Sequence, residues 1–312
     1  MNLNVAIQMD PIGSINIDTD STFVLALEAQ RRGHRLFHYL PTRLTFREGR
    51  VVARANPLTV RRNPGDHATL DDEIEIDLRD MDVVLMRQDP PFDLAYIAAT
   101  HLLELVHPKP LVVNNPAGVR NAPEKLLITR FPELIPPTLI TADRQQIHEF
   151  RRAHEDIVVK PLFGNGGAGV FHVKPDDDNL NALLEMFAAR NGEPLMVQRY
   201  LPAVRDGDKR IILVDGVPAG AVNRVPAAGE ARANLHVGGR AEKSVLTPKD
   251  REICAAIGPV LRDRGLIFAG IDVIGDSLTE INVTSPTGLQ EINRLDGVCL
   301  ESWLWKAIEA KL

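Results

Sequence analysis

Cysteine is scarce in this chain: Cys254 and Cys299 are the two present, far apart and outside any CxxC pair. That argues against a disulfide framework and a thiolate metal centre, and it fits a reducing compartment. No lysine- or arginine-rich block of tail length occurs, and 36 basic against 42 acidic residues leave a net charge of −6. A basic nucleic-acid surface is therefore not expected. No window approaches the roughly 18 uninterrupted apolar residues of a membrane-spanning helix, so no membrane partner is expected either. The first residues lack a basic segment followed by a long apolar one, so no signal peptide is expected, and the expected location is the cytoplasm. Repeats and low-complexity tracts are also missing. What remains is ordinary globular composition, with 44% hydrophobic and 25% charged residues over 312 positions. That length suffices for two or three domains with cores of their own.

The first third alternates strands and helices. Strand-like runs cover 3–9, 36–40, 82–87 and 111–114, with helices over 19–32 and 92–106 and a hairpin over 44–53. Such alternation implies a doubly wound parallel sheet, in which ligand groups gather beyond the carboxyl ends of the strands. Asp10, Arg87 and Asn114 fall at those ends. From about Pro116 the organisation changes to a small α+β module and then to a mostly antiparallel layer. The expected division is a domain over 1–122, a small subdomain over 123–200 and a third over 201–312.

The most telling stretch runs from Ile271 to Val283. Two β-branched runs flank Gly275-Asp276-Ser277, predicting a hairpin with a three-residue turn. Alternation points Glu280 and Asn282 the same way, and the opposite register brings Asp272 beside them. Two carboxylates and an amide oxygen aimed together suit a hard cation such as Mg²⁺ shared with phosphates. A solvated hairpin face fits the spacing equally well.

Lys160 ends an apolar strand, and Gly164-Asn165-Gly166-Gly167-Ala168-Gly169 follows. Backbone N–H groups in so glycine-rich a loop can converge on an anion. The loop is neither a Walker A motif nor a dinucleotide fingerprint, because a strand follows it. Paired with Lys160 it reads as a cover over phosphates; alone it reads as a hairpin turn. The strand end at Gln198 to Leu201 can present a purine-reading edge or be a plain linker. Asp208 is placed to take a ribose hydroxyl, and Arg210, on a rigid strand, to meet developing phosphoryl charge. Residues 226–241 contain almost no large apolar side chain and read as a lid or a solvated loop. Arg224, Arg232 and Arg240 around it suit a substrate with several carboxylates. Ser285 and Thr287 precede a helix near Leu289, where N–H donors can hold a carboxylate or the hydroxyls can simply cap.

Taken together, these segments resemble the bacterial glutathione synthetases of the ATP-grasp superfamily. The likeness is carried by Met9-Asp10-Pro11, Leu85-Met86-Arg87-Gln88-Asp89-Pro90-Pro91, Asn121-Ala122-Pro123-Glu124-Lys125, and the run from Gly265 to Pro286. Phe163 and Asn165 depart from the residues usual around the glycine loop, and nothing is carried over beyond Glu291. The resemblance implies an ATP-grasp fold behind an N-terminal doubly wound parallel-sheet domain. It implies ATP-dependent joining of γ-glutamylcysteine and glycine through an acyl phosphate, in a symmetric homo-oligomer that uses Mg²⁺ or Mn²⁺. Lys125 and Lys160 match the phosphate lysines, with Gly164, Gly166 and Gly167 in the phosphate loop. Gln198 and Leu201 match the adenine strand, and Asp208 the ribose position. Asp272, Glu280 and Asn282 match the metal ligands, and Arg210 an arginine beside the acyl phosphate. Arg87, Arg224, Arg232, Arg240, Ser285 and Thr287 fall to the substrate side. A ligase for another amino acid, and a nucleotide-binding regulator without turnover, are the competing readings.

Overall fold

The computed structural model describes residues 2–189, 192–227 and 238–312. In chain order the elements begin with β1 (Asn4–Gln8), α1 (Ser21–Arg31), β2 (Arg35–Tyr39), β3 (Leu44–Arg47), β4 (Arg50–Val60), β5 (Ala68–Leu70), β6 (Ile74–Asp77) and β7 (Val83–Met86). Next come α2 (Leu94–Glu104), β8 (Leu111–Val113), α3 (Pro116–Arg120), α4 (Glu124–Leu127), β9 (Thr138–Thr141) and α5 (Arg144–His154). β10 (Ile157–Pro161), β11 (Phe171–Val173), α6 (Leu180–Ala188), β12 (Leu195–Arg199), β13 (Asp208–Val214) and β14 (Val217–Val225) follow. The remainder is β15 (Arg240–Lys243), α7 (Pro248–Asp263), β16 (Phe268–Ile274), β17 (Ser277–Asn282), α8 (Leu289–Asp296) and α9 (Leu300–Glu309).

These strands form three sheets among the described residues. The first has the order β3-β4-β2-β1-β7-β8, parallel from β2 to β8, with β5 and β6 also paired to β4. Helix α1 starts where expected because the Asp20 carboxylate accepts the Phe23 N–H at 2.6 Å, an N-cap. The hairpin expected over 44–53 is present, but β4 runs on to Val60 and carries an antiparallel extension that the alternating pattern did not announce. The second sheet, β11-β10-β12-β9, and the third, β15-β14-β13-β16-β17, are antiparallel.

The hairpin between β16 and β17 differs from expectation in its turn. Ser277 pairs with Ile274, so the turn has two central residues, Gly275 and Asp276, and Gly275 takes φ 58°. The register then slips by one between Asp272 and Val273, leaving Thr279 as the extra residue of a bulge. A two-residue turn alone would set Asp272 opposite Thr279. The bulge restores Glu280 to that place, which is the pairing the sequence predicts. The turn between β13 and β14 is Asp215-Gly216, both at positive φ (47° and 73°), the hairpin geometry that matches strand twist.

One apolar cluster spans the first and third sheets. It joins Val5, Ile7 and Leu25 to Ile212, Phe268, Leu304 and Trp305. Asn114, after β8, donates to the Phe268 and Val283 carbonyls at 2.6 and 2.8 Å and accepts the Phe268 N–H at 2.8 Å. The second sheet has its own core around Ile157, Leu184 and Val197. A cleft opens between the second and third sheets.

Candidate active site

The reactive side chains come from one face of the third sheet. Arg210 on β13 lies opposite Asp272 on β16, which lies opposite Glu280 on β17. Asp208 shares the Arg210 face two residues earlier and pairs with Arg224 on β14. Arg210 clamps Asp272 through Nε and, at 2.9 Å, through Nη2, while its Nη1 donates to the Thr287 carbonyl at 3.2 Å. Gly270 makes room for this: a Cβ there would stand 3.0 Å from Arg210 Cδ. Arg224 bridges Asp208 at 2.6 Å and Asp272 at 3.0 Å. Burial pushes the Asp272 carboxyl up, but Arg210 and Arg224 outweigh it and hold the group below the usual carboxylate range. For Arg224, burial works against the charge, yet Asp208 and Asp272 prevail and raise it. Asp208 is pushed up to about 7, chiefly by burial.

A cavity of about 120 Å³ occupies the cleft. The second sheet contributes Lys160 and the glycine loop, and the third contributes Asp208, Asp272 and Glu280. Lys160 does not snorkel to solvent. It is 6% exposed, its Nζ is 3.9 Å from Glu280, and burial pushes its amine down. Lys125, on α4, reaches Glu280 at 3.6 Å and donates to the Gly164 carbonyl. Gly166 and Gly167 both take left-handed φ, 60° and 78°, so the loop turns its backbone without side chains in the way. At the far end lie Gln198, whose Nε2 donates to Thr138 Oγ1 at 2.9 Å, and Leu201. Two backbone donors of that strand end are already engaged, Arg199 N–H by Pro137 and Tyr200 N–H by Asp156.

A second cavity of about 510 Å³ opens on the other side of Glu280, against the N-terminal sheet. Arg210, Arg224, Asn282, Ser285 and Thr287 line it together with Asp10, Asp20 and Asp89. Ser285 Oγ donates to the Arg87 carbonyl at 3.2 Å, and neither hydroxyl caps α8, whose N-cap is Gly288. Both cavities include Glu280, Asn165 and Gly166.

Other expected residues stand apart. Arg87 is buried, donates to Thr22 Oγ1 at 3.0 Å and to the Pro286 carbonyl at 3.1 Å, and lines neither cavity. Arg240 and Ala241 belong to β15 rather than to a loop, and the exposed Arg240 guanidinium pairs with Glu242. Arg232 and the rest of 228–237 in the expected lid lie outside the described residues. Sequence reasoning missed Glu124, which lines the larger cavity and is pushed up to about 7 by burial and then by the Glu280 charge. It also missed the stack of His172 on Tyr200, 3.9 Å between centroids, in the wall of the smaller cavity.

Asp272, Glu280 and Asn282 fit a shared cation better than a closed cage. Two carboxylates and an amide leave most coordination positions to phosphate oxygens and water, as Mg²⁺ prefers. Among the described residues no three His, Cys, Asp or Glu side chains cluster closely enough to hold a metal alone.

The sequence matches the family model for the prokaryotic glutathione synthetase N-terminal domain over 3–120 and that for the ATP-grasp domain over 124–297. It is 59% identical over 311 residues to the glutathione synthetase of Brucella melitensis biotype 1, covering all of both chains. It is 45% identical over 312 residues to that of Escherichia coli O127:H6, covering 99% of each. These alignments run past Glu291, so the likeness extends further along the chain than the motifs alone suggested. Among solved structures the fold is similar to the D-cycloserine synthetase DcsG, with TM-score 0.69 and 15% identity over 99% of this chain and all of that one. It is also similar to the ATP-grasp ligase PsnB, with TM-score 0.62 and 17% identity over the whole of both. The chain belongs to the prokaryotic glutathione synthetases, a family of ATP-grasp ligases.

Proposed function

We propose that this protein joins γ-glutamylcysteine to glycine at the expense of ATP, releasing glutathione, ADP and phosphate. The observation that carries the reading is the cross-strand row Arg210, Asp272, Glu280 standing between two cavities. The smaller takes the nucleotide. Lys125, Lys160 and the loop at Gly164, Gly166 and Gly167 hold its phosphates, Gln198 and Leu201 its base, and Asp208 its ribose. The larger takes the dipeptide and glycine, with Arg224, Ser285 and Thr287 on the carboxylate side. Arg87 acts behind that wall through Thr22 and Pro286.

A carboxylate is a poor acyl donor because oxide would have to leave. Transfer of the γ-phosphoryl group onto the cysteinyl carboxylate makes an acyl phosphate; the glycine amine then attacks that carbon, and phosphate departs. Arg210, fixed by Asp272 on one side and Thr287 on the other, offers N–H donors to the oxygens on which charge develops. Lys125 and Lys160, which converge on Glu280 at 3.6 and 3.9 Å, carry positive charge to the triphosphate. Asp272, Glu280 and Asn282 are the residues that would hold Mg²⁺ or Mn²⁺, which when bound screens the repulsion between carboxylate and triphosphate.

We infer further that the boundaries near 122 and 200 separate the three units, and that the enzyme is a cytoplasmic homo-oligomer without nucleic-acid or membrane partners. One assay tests the activity: phosphate release with ATP and Mg²⁺, with γ-glutamylcysteine and glycine each omitted in turn. Release that requires both is the expected result. Release supported by a different amine or carboxylate, or ATP binding with no release, would replace the proposal.

A further inference from the structure

The second sheet turns one face to its own core and the other to the smaller cavity. Ile157, Val159, Val173, Leu195 and Val197 supply the core face. Strand alternation puts a different row on the cavity face: Thr138 on β9, Gln198 on β12, Val158 on β10 and His172 on β11 stand opposite one another in turn. Val158, Gln198 and His172 line the cavity, whereas Thr138, on the outermost strand, stays out of its wall.

Gln198 is 4% exposed, so neighbours rather than water decide which end of its amide faces where. Its Nε2 lies 2.9 Å from Thr138 Oγ1, and Thr138 Oγ1 lies 2.7 Å from the Pro136 carbonyl oxygen. A hydroxyl has one proton, and a carbonyl can only accept. The Thr138 proton therefore goes to Pro136, and Thr138 accepts from Gln198. Turning the amide over would set two oxygens against each other or forfeit the bond to Pro136. That carbonyl is stiffly placed, because residue 137 is also a proline and restricts the one before it. The Pro137 carbonyl in turn holds the Arg199 N–H at 3.0 Å, tying the segment to β12. Among the described residues nothing hydrogen-bonds to Gln198 Oε1, which is left on the side away from Thr138. The chain from Pro136 through Thr138 to Gln198 thus delivers to the cavity an acceptor that is not free to become a donor.

We propose that Thr138 is a positioning residue for base selection: by locking the Gln198 amide it makes the cavity take a 6-aminopurine nucleotide and reject a 6-oxopurine one. This rests on the nucleotide occupying the smaller cavity with its base at Gln198. A 6-amino group donates to Oε1. A 6-oxo group sets oxygen against oxygen, and the amide cannot answer with Nε2 while Thr138 holds it. Glutamine alone would discriminate poorly, since it carries a donor and an acceptor at equal reach. Rejection of the wrong base therefore lies in a hydroxyl one strand away, which leaves the wrong partner unpaired.

The test uses the full chain and two probes, ADP and IDP with Mg²⁺, each titrated calorimetrically. Wild type should bind ADP more tightly than IDP. Thr138→Val should narrow that ratio about tenfold or more, the discrimination carried by one mispaired buried group. Thr138→Ser, which keeps the hydroxyl, should preserve the ratio, and Gln198→Met should narrow it as Thr138→Val does. A merely structural Thr138 would weaken both diphosphates alike and leave the ratio where it was. If Thr138→Val does not fold, Thr138→Ala carries the same expectation. A ratio unmoved in the Thr138 variants but narrowed in Gln198→Met overturns the positioning role alone. A ratio unmoved in Gln198→Met, or no ADP binding, overturns the placement of the base itself, and equal binding of both probes to wild type overturns the selectivity. No acceptor is needed, so the comparison stands whether or not it is γ-glutamylcysteine.

Discussion

Arg210 touches three things at once: a carboxylate, a backbone carbonyl and the mouth of the larger cavity. Its removal should therefore affect turnover as well as folding, since it leaves Asp272 with Arg224 alone. Arg210→Ala is expected to lower kcat by about 10²–10³-fold, or about 3–4 kcal/mol, the loss typical of one transition-state donor. Arg210→Lys should recover little, since an ammonium cannot form the paired contact to Asp272. Steady-state kinetics check both, and a near-normal kcat for the alanine variant would remove Arg210 from the reaction. Glu124 gives a second prediction. Burial and then Glu280 push its carboxyl up to about 7 from an ordinary 4.5. Between those values the folded protein keeps the proton and the unfolded chain releases it, so ligand-free stability falls as pH rises across the window. Glu124→Gln should flatten that slope, seen as urea midpoints measured from about pH 5 to 8. Parallel profiles would discard the assignment. Glu124 was not legible beforehand, because its short helix meets β17 across more than a hundred residues of chain. Asp272 and Glu280 were legible, because a period of two fixes which side chains share a strand face.

At the level of elements, the grasp depends on how closely α7 lies on the turn between β13 and β14. A Cβ on Gly258 would stand 2.3 Å from the Gly216 carbonyl oxygen, and one on Gly216 would stand 2.4 Å from the Gly258 carbonyl oxygen. Neither backbone can yield without moving the helix off the sheet. Gly258→Ala is expected to cost about 1–3 kcal/mol by overpacking, read as a lower urea midpoint. An unchanged midpoint would mean the helix slides freely. Strand and helix positions in the alternating first third, and both antiparallel hairpins, could be read from turn residues and apolar spacing. The Thr279 bulge could not. A three-residue turn and a two-residue turn plus a bulge place the same residues opposite one another, and only the bulged form exists. The run from β4 to β6 was unread for another reason: it is an antiparallel addition to a parallel sheet, outside the alternating pattern.

Across the whole molecule, the chain's last helix closes onto its first. Trp305 is fully buried on α9, and its Nε1 donates to the Leu25 carbonyl of α1 at 2.9 Å. Arg32, just after α1, reaches both Glu309 and Ser302. The N-terminal sheet and the grasp are thus held together by apolar contact as well as by Asn114. Trp305→Ala should cost about 3–5 kcal/mol, the usual loss for a buried aromatic. Trp303, the only other tryptophan, is 40% exposed, so a blue-shifted emission in the native protein should come from Trp305 and vanish in that variant. Loss of the signal without loss of stability would place the closure elsewhere. None of this long-range closure was readable in advance, since apolar periodicity tells which face is buried and not against what.

The lysines and arginines of the cleft have a final implication for how the triphosphate arrives. Lys125 and Lys160 already lean on Glu280, and Arg210 and Arg224 on Asp272, so the resting protein acts as its own counter-ion atmosphere. An incoming nucleotide trades places with internal anions more than it sheds dissolved salt. Its affinity should decline with added potassium chloride far less steeply than two bare lysines would demand.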